Sequence, residues 1–367
     1  MYIVCTLLII VLFIVARSSK SPIIAQETSK STSQSTSVLL VPYIGQLNPN
    51  ISDHFFKSVK YQPFDVLFVS MDGKDILENH NTTQIRHLDL NTDFYGFASD
   101  KLCLAYNCTL NEKGRLRHAM QKTITKYGFF LCLLRPAFLY IFKEFLNSYS
   151  YVGWGDIDMV FSDIDLLTPY LNDHDIVTVG GSDLNRLYLR GQLTFFKNTE
   201  SLSKAFIDPM PLSLMLKYFE TPAFMAEEAL YSQYMFSSTY SILIVPFQKS
   251  SWDCKKHFKL ENTTVVCDLF TSDTKPTYIP LHDRPFELVN APQIINEPCD
   301  TFWINIQYRG CLNQNTPAFI SYSNGTAKVY KLSDKEHYMF SKYPLFYHFQ
   351  LEKHNQQELE DLFTSEQ

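Results

Sequence analysis

Residues 151–164 read YVGWGDIDMVFSDI, an aromatic, apolar run that ends in two carboxylates, Asp156 and Asp158, one residue apart. In a strand, residues two apart point the same way, so a strand running through this stretch puts both carboxylates on one face, able to grip a single object. Hard cations such as Mg2+ and Mn2+ prefer oxygen donors and are often held by one or two carboxylates together with substrate phosphates. The glycines on either side of Trp154 are expected to keep bulk away from that face. Spacing alone is weak, because Asp163/Asp165 and Asp173/Asp175 repeat the pattern; those two pairs read as turns and helix caps. Position singles out the first pair: it ends a strand, where open α/β sheets gather their ligands.

Working outward, residues 135–149 predict an amphipathic helix that feeds this strand. Pro136 suits a first turn, and Phe138, Ile141, Phe142, Phe145 and Leu146 recur at helical spacing. VLLVPY (38–43) and FDVLFVS (64–70) are short β-rich runs of the kind buried on both faces of a parallel sheet, with a crossover helix expected over 52–60. Further strands are expected at 175–179, 192–196 and 241–247, with a helix over 224–235. FISYSNGTAKVY (319–330) reads as a hairpin turning at Asn324-Gly325. The alternation predicts an α/β layer fold, a mostly parallel sheet flanked by helices, with a C-terminal β-containing elaboration closing over it. No internal repeat is present.

The 367 residues carry 32 basic and 38 acidic side chains, a net charge of −6, with no Lys/Arg run of the kind that binds nucleic acid. Residues 1–16 are uncharged and apolar, close to the length of a membrane span. An uncleaved signal anchor is the preferred reading, although Arg17 and Lys20 follow the apolar run rather than precede it, against the positive-inside pattern of a type II anchor. A cleaved signal peptide, with Ala16 and Ser18 before the cut, is the alternative. Residues 28–37 hold eight Ser/Thr in ten, a composition suited to a flexible stalk. The expected division is therefore an anchor (1–16), a stem (17–37), one lumenal domain (38–353) and a polar tail (354–367). That places it in the Golgi or endoplasmic reticulum membrane as a single-pass type II protein, or secreted.

Five Asn-x-Ser/Thr sequons, at Asn50, Asn81, Asn107, Asn262 and Asn324, are consistent with export, though about three would arise by chance. Cys103/Cys108, Cys254/Cys267 and Cys299/Cys311 are sequence neighbours able to close small loops in an oxidising compartment, and Cys132 reads as a buried thiol. No Cys/His spacing points to zinc.

Glu227 and Glu228, in MAEEALYSQYM, stand near a helix start, where acidic residues gain from the dipole. Either is also a candidate general base or acceptor-hydroxyl anchor. His348, in YHFQ, is a core histidine unless the tail folds back onto the Asp pair, where imidazole is an acceptable donor for Mn2+.

Taken together, the pieces resemble a GT-A type glycosyltransferase, and within that class a poorly characterised Asp-x-Asp family of polysaccharide-cluster and membrane-anchored glycosyltransferases. The resemblance runs from Val38 to Lys353. It is carried by VPYIG (41–45), Asp72 in FVSMDG, RPAF from Arg135, the Asp156-Ile157-Asp158 core, GQLTFFKN (191–198), the acidic pair and HFQ near the end. The resemblance implies transfer of a sugar from a nucleotide-sugar donor, expected to be UDP-linked, to a glycan or glycoconjugate. Asp156 and Asp158 would hold Mn2+ or Mg2+ on the diphosphate, with His348 completing the shell. Pro42, Tyr43 and Asp72 would line the nucleotide pocket, Arg135 would reach a phosphate, and Glu227 or Glu228 would act as base in an inverting reaction. The chain departs from the family at Val152-Gly153-Trp154, Ser162, Gln192, Arg135 and Leu133, the last replacing an Asp. Leu133 favours the alternative, a catalytically inactive, secreted or tethered glycan-binding protein.

Overall fold

In a computed structural model of the chain, the described residues are 36–44, 49–70, 84–90, 93–162, 164–180, 186–221, 227–246, 248–250, 258–261, 264–267, 279–282, 284–285, 287–290, 310–311, 318–324, 326–336 and 346–348. They belong to one compact unit spanning 34–367. The apolar segment 1–16, Asp72 and the tail beyond 353 lie outside them. Among the described residues no helix is long and apolar enough to cross a membrane.

Strands β1 (Ser37–Tyr43), β2 (Asp65–Ser70) and β3 (Ile85–Asp89) pair in parallel, and β4 (Tyr151–Gly155) joins β1 in parallel on its other side. Short β5 (Met159–Phe161) leaves this sheet, and β6 (Ile176–Val179) returns to it. A two-residue β7 (Arg186–Leu187) precedes β8 (Leu193–Lys197), which inserts antiparallel between β4 and β6. Strand β9 (Ile242–Val245) lies parallel to β6. Beyond come β10 (Gln248–Ser250), the ribbon β11 (Phe258–Glu261) with β12 (Thr264–Cys267), β13 (Glu287–Asn290) and β14 (Gly310–Cys311), which pairs with β7. The hairpin β15 (Ala318–Ser323) and β16 (Thr326–Lys331) forms as the Asn-Gly signal requires, and β17 (Phe346–His348) follows.

Among the described residues the main sheet has ten strands in the order β13-β16-β15-β9-β6-β8-β4-β1-β2-β3. It is mixed: parallel from β4 to β3 and between β6 and β9, antiparallel at β8 and through the C-terminal extension. The α/β class expected from the alternation is the class observed.

Period-two alternation builds a layer on each face. Val38 and Leu40 of β1, Leu67 and Val69 of β2, and Val152 and Trp154 of β4 enter one cluster. Leu39 and Val41, Val66 and Phe68, and Tyr151 enter the other. Such fully buried side chains contribute about 1.5–3 kcal/mol each, which is why short runs with no polar face form these strands. The first cluster is covered by helices α1's successors α2 and α3, and the second by α1 itself: α1 is Pro49–Val59, α2 Phe94–Tyr106 and α3 Leu110–Lys126.

The single helix expected over 135–149 is instead a 3-10 helix, Gly128–Ala137, followed by one-turn helices Phe138–Ile141 and Lys143–Leu146. The break falls at Phe142, with φ −99° and ψ 12°. Its apolar set is nonetheless in place: Phe138, Ile141, Phe142 and Leu146 are buried and Phe145 packs against them. Apolar spacing reported the buried face correctly and the hydrogen-bond pattern incorrectly.

Candidate functional site

Because β1, β2 and β4 run in parallel, Tyr43, Ser70 and the residues after Gly155 end at one edge of the sheet. Strand β4 stops at Gly155, so Asp156, Ile157 and Asp158 form a bend between β4 and β5 rather than part of a strand. This corrects the expectation of two carboxylates on one strand face. Asp158 is buried at 7 % exposure, whereas Asp156 is half-buried and accepts a hydrogen bond from Arg135 Nη2 at 2.5 Å. The side chains of that ion pair are only 14 % and 26 % exposed. Tyr43 lies close enough to Asp158 to feel its charge: burial first, and then that carboxylate, raise the Tyr43 phenol above its ordinary value.

The glycines around Trp154 also act otherwise than expected. A Cβ at Gly153 would sit 2.7 Å from the Phe195 ring, and one at Gly155 would sit 3.1 Å from Leu39. They make room for core side chains, not for a ligand.

At Gly191 the backbone comes up against the side chains of the site. A Cβ there would lie 2.0 Å from Arg135 Nη1 and 2.9 Å from Glu228 Oε1. Its own N–H donates to Glu228 Oε1 at 2.9 Å. Glu228 stands on a five-residue π-helical turn, Glu227–Tyr231, a geometry found often at functional sites. The backbone of Glu227 belongs to the same turn. One point therefore joins three chain segments: the 3-10 helix through Arg135, the loop through Gly191 and the turn through Glu228.

That loop is pinned from every side. Trp154 Nε1 donates to the Arg190 carbonyl at 2.9 Å, and Thr194 Oγ1 donates to the same oxygen at 2.8 Å. Thr178 Oγ1 accepts from Arg190 N–H at 3.0 Å, and Ser232 Oγ from Leu189 N–H at 2.9 Å. Trp154 itself is buried against Phe196, with ring centroids 4.6 Å apart. Beside Gly191, the Gln192 carboxamide oxygen is buried and meets no hydrogen-bond donor among the described residues. Such an acceptor carries a desolvation cost until a donor reaches it.

At the far end of the 3-10 helix, Gly128 approaches the Ile44 carbonyl just past β1, and Tyr127 and Phe129 stand exposed there. Leu133, the departure from the family Asp, is buried in the core and does not belong to the site.

The tail does return to the Asp-x-Asp bend. Strand β17 pairs antiparallel with β5, placing His348 opposite Met159, the residue after Asp158, and Ser250 of β10 pairs with His348 on the other side. Pro42, Tyr43, Arg135, Asp156, Asp158 and Glu228 thus share the sheet edge, with the His348 backbone alongside; Asp72 lies outside the described residues. Gly191 and Gln192 were missed as site residues by sequence reasoning. The signal was the resemblance of GQLTFFKN (191–198) to a family strand, in which Gln192 is a departure, and it assigned no role to either residue. Among the described residues no three His, Cys, Asp or Glu side chains gather as a metal site.

A model of a family of unknown function (DUF6625) matches residues 105–244, a span that holds Arg135, the Asp-x-Asp bend, Gly191 and Glu228. No curated protein matches the chain in sequence. Among solved structures, the chain is similar to mouse xyloside xylosyltransferase 1 in its apo form, with TM-score 0.39 and 10 % identity over 60 % of this chain and 90 % of that one. It is also similar to the PaToxG glycosyltransferase, with TM-score 0.28 and 9 % identity over 55 % of this chain and 68 % of that one. Likenesses of this size leave the question of activity to the site.

Proposed function

We propose that the chain transfers a sugar from a nucleotide-sugar donor, a UDP-sugar in the first instance, to a glycan or glycoconjugate acceptor in the secretory pathway, with Mn2+ or Mg2+ as cofactor. The observation that carries this reading is the pairing of His348 with Met159, which brings the tail beside the bend that holds both carboxylates.

A hard cation would be held chiefly by Asp158, with His348 as the nearest further candidate. Asp158 supplies a buried carboxylate at the sheet's rim, and His348 occupies the adjoining register position. Asp156 is engaged by Arg135, so it would serve a cation only while sharing its carboxylate with that guanidinium. A cation bound here would neutralise charge on the departing nucleotide diphosphate.

The chain's own groups account for the rest. Pro42 and Tyr43, at the end of β1, would line the nucleotide side, a role the family resemblance also gives to Asp72, which lies outside the described residues. Arg135, a planar donor suited to oxyanions, fixes Asp156 through Nη2 and sets Nη1 against Gly191, and from there it would contact a phosphate. Gln192 offers its buried oxygen to a sugar hydroxyl, which would supply the donor it lacks. Glu228, or Glu227 beside it, takes the acceptor's proton if the anomeric centre inverts; a retaining route needs neither.

Thermal shift with a panel of nucleotide sugars, with and without Mn2+, tests the reading, since a ligand of the native state raises apparent stability. Mn2+-dependent stabilisation by one nucleotide sugar is expected. No response to any of them, in protein that melts cooperatively, rejects it.

A second reading, a catalytically inactive glycan-binding protein, is favoured by the Arg135–Asp156 pair, which already balances one of the two carboxylates. It forecasts glycan binding without donor turnover and without a metal requirement.

A further inference from the structure

The described chain contains two non-glycine residues with positive φ, Asn107 at 54° and Asn324 at 47°, and both are sequon asparagines. Both are exposed. Asn107 caps α2 in the left-handed conformation that Asn tolerates better than most residues, and Asn324 turns the β15–β16 hairpin. Around Asn107 the surface is unusually apolar: Leu104, three residues before it, is 73 % exposed, and Leu110, three residues after, is 88 % exposed.

We propose that Asn107 and Asn324 are N-glycosylated, that the glycan on Asn107 covers Leu104 and Leu110, and that occupancy at Asn107 is set by competition with closure of the Cys103–Cys108 disulfide. The inference rests on the lumenal location in the proposed function, and not on its chemistry.

In the folded chain every residue of the Asn107-Cys108-Thr109 sequon is committed. The Asn107 N–H donates to the Cys103 carbonyl, and Cys108 is disulfide-bonded to Cys103. Thr109 Oγ1 donates to Glu112 Oε2 at 2.8 Å and accepts from Glu112 N–H at 3.3 Å, a capping box that opens α3. A transferase that reads the sequon hydroxyl needs Thr109 released, so Asn107 is modified before this corner closes.

The step is ordinary group transfer. The Asn107 amide nitrogen bonds to the anomeric carbon of a lipid-pyrophosphate oligosaccharide, the carbon–oxygen bond to pyrophosphate breaks, and the amide loses one proton to base. Disulfide closure takes two electrons and two protons from Cys103 and Cys108, accepted by a disulfide-donating oxidase. Chain synthesis at about 5–20 residues per second and disulfide formation in seconds or longer overlap in time, so neither wins outright. Asn324 has no cysteine in its sequon and escapes the competition.

The full chain, expressed in cultured secretory cells, is digested with an amidase that converts glycosylated Asn to Asp in 18O water, and both sites are quantified by peptide mass spectrometry. Partial occupancy at Asn107 is expected, rising about twofold in Cys103→Ser, which leaves the sequon intact, with Asn324 unchanged. Brief dithiothreitol treatment of cells making wild-type chain should give the same rise, and reads the nascent chain whether or not Cys103→Ser folds. An empty Asn107 in chains glycosylated at Asn324, under both treatments, overturns the site. Full occupancy unmoved by either overturns the competition. Glycan at neither position overturns the lumenal premise, while nucleotide-sugar binding, measured separately, reports on the proposed chemistry.

Discussion

Arg135 and Asp156 meet through a 2.5 Å hydrogen bond in which both side chains are largely withdrawn from water. The pair ties the 3-10 helix to the bend after β4, so it fixes where one carboxylate of the Asp-x-Asp sits. Arg135→Ala leaves the Asp156 carboxylate without this donor, and a stability loss of about 1–3 kcal/mol is expected. A double-mutant cycle with Asp156→Asn by denaturant unfolding measures the coupling. A coupling indistinguishable from zero would mean the pair behaves as an ordinary surface contact.

Gly191→Ala is expected to move Arg135. The added methyl would stand 2.0 Å from Nη1, nearer than real Cβ atoms come, and 2.9 Å from the Glu228 carboxylate. Overpacking of this kind costs about 1–3 kcal/mol. The end of a long side chain yields more readily than backbone, so Gly191→Ala should cost less in an Arg135→Ala background than alone. Additive costs would place the strain elsewhere.

Much of the fold was legible in residues with no polar alternative. VLLVPY and FDVLFVS read as strands buried on both faces, and they are β1 and β2. The crossover helix expected over 52–60 is α1, Pro49–Val59. The site was legible only in part. Asp156 and Asp158 were placed at a sheet edge from the end of their aromatic strand, and Pro42 and Tyr43 through the family resemblance. The bend that separates Asp158 from β4, the fit of Gly153 against Phe195, and the meeting of Arg135, Gly191 and Glu228 depend on segments far apart in sequence. Periodicity within one segment carries no information about such contacts.

Asp158→Asn keeps the shape of a buried side chain and removes its charge. If Asp158 is the carboxylate that serves the proposed cation, this variant should fold and yet lose Mn2+-dependent stabilisation by nucleotide sugars; a chelator should do the same to wild-type protein. Thermal shift with and without Mn2+ checks both. An unchanged response in Asp158→Asn removes Asp158 from the metal site.

His54, on α1, gives the fold a defined sensitivity to acid. Burial is the main cause that lowers its imidazole from 6.5 to about 4, with Lys57 acting in the same direction and Asp53 opposing. The folded state therefore favours the neutral ring, and the unfolded chain takes up the proton first. The stability this contributes is complete above about pH 6.5 and is lost as pH falls toward about 4. After allowance for partial exposure it is about 1–3 kcal/mol. His87 and His174 are lowered for the same leading reason and add to the slope in the same direction. Melting temperature followed from pH 7 to pH 4 should decline in wild-type protein and decline less in His54→Gln, which cannot take up that proton. Parallel curves would show that carboxylates, and not this imidazole, set the acid limit.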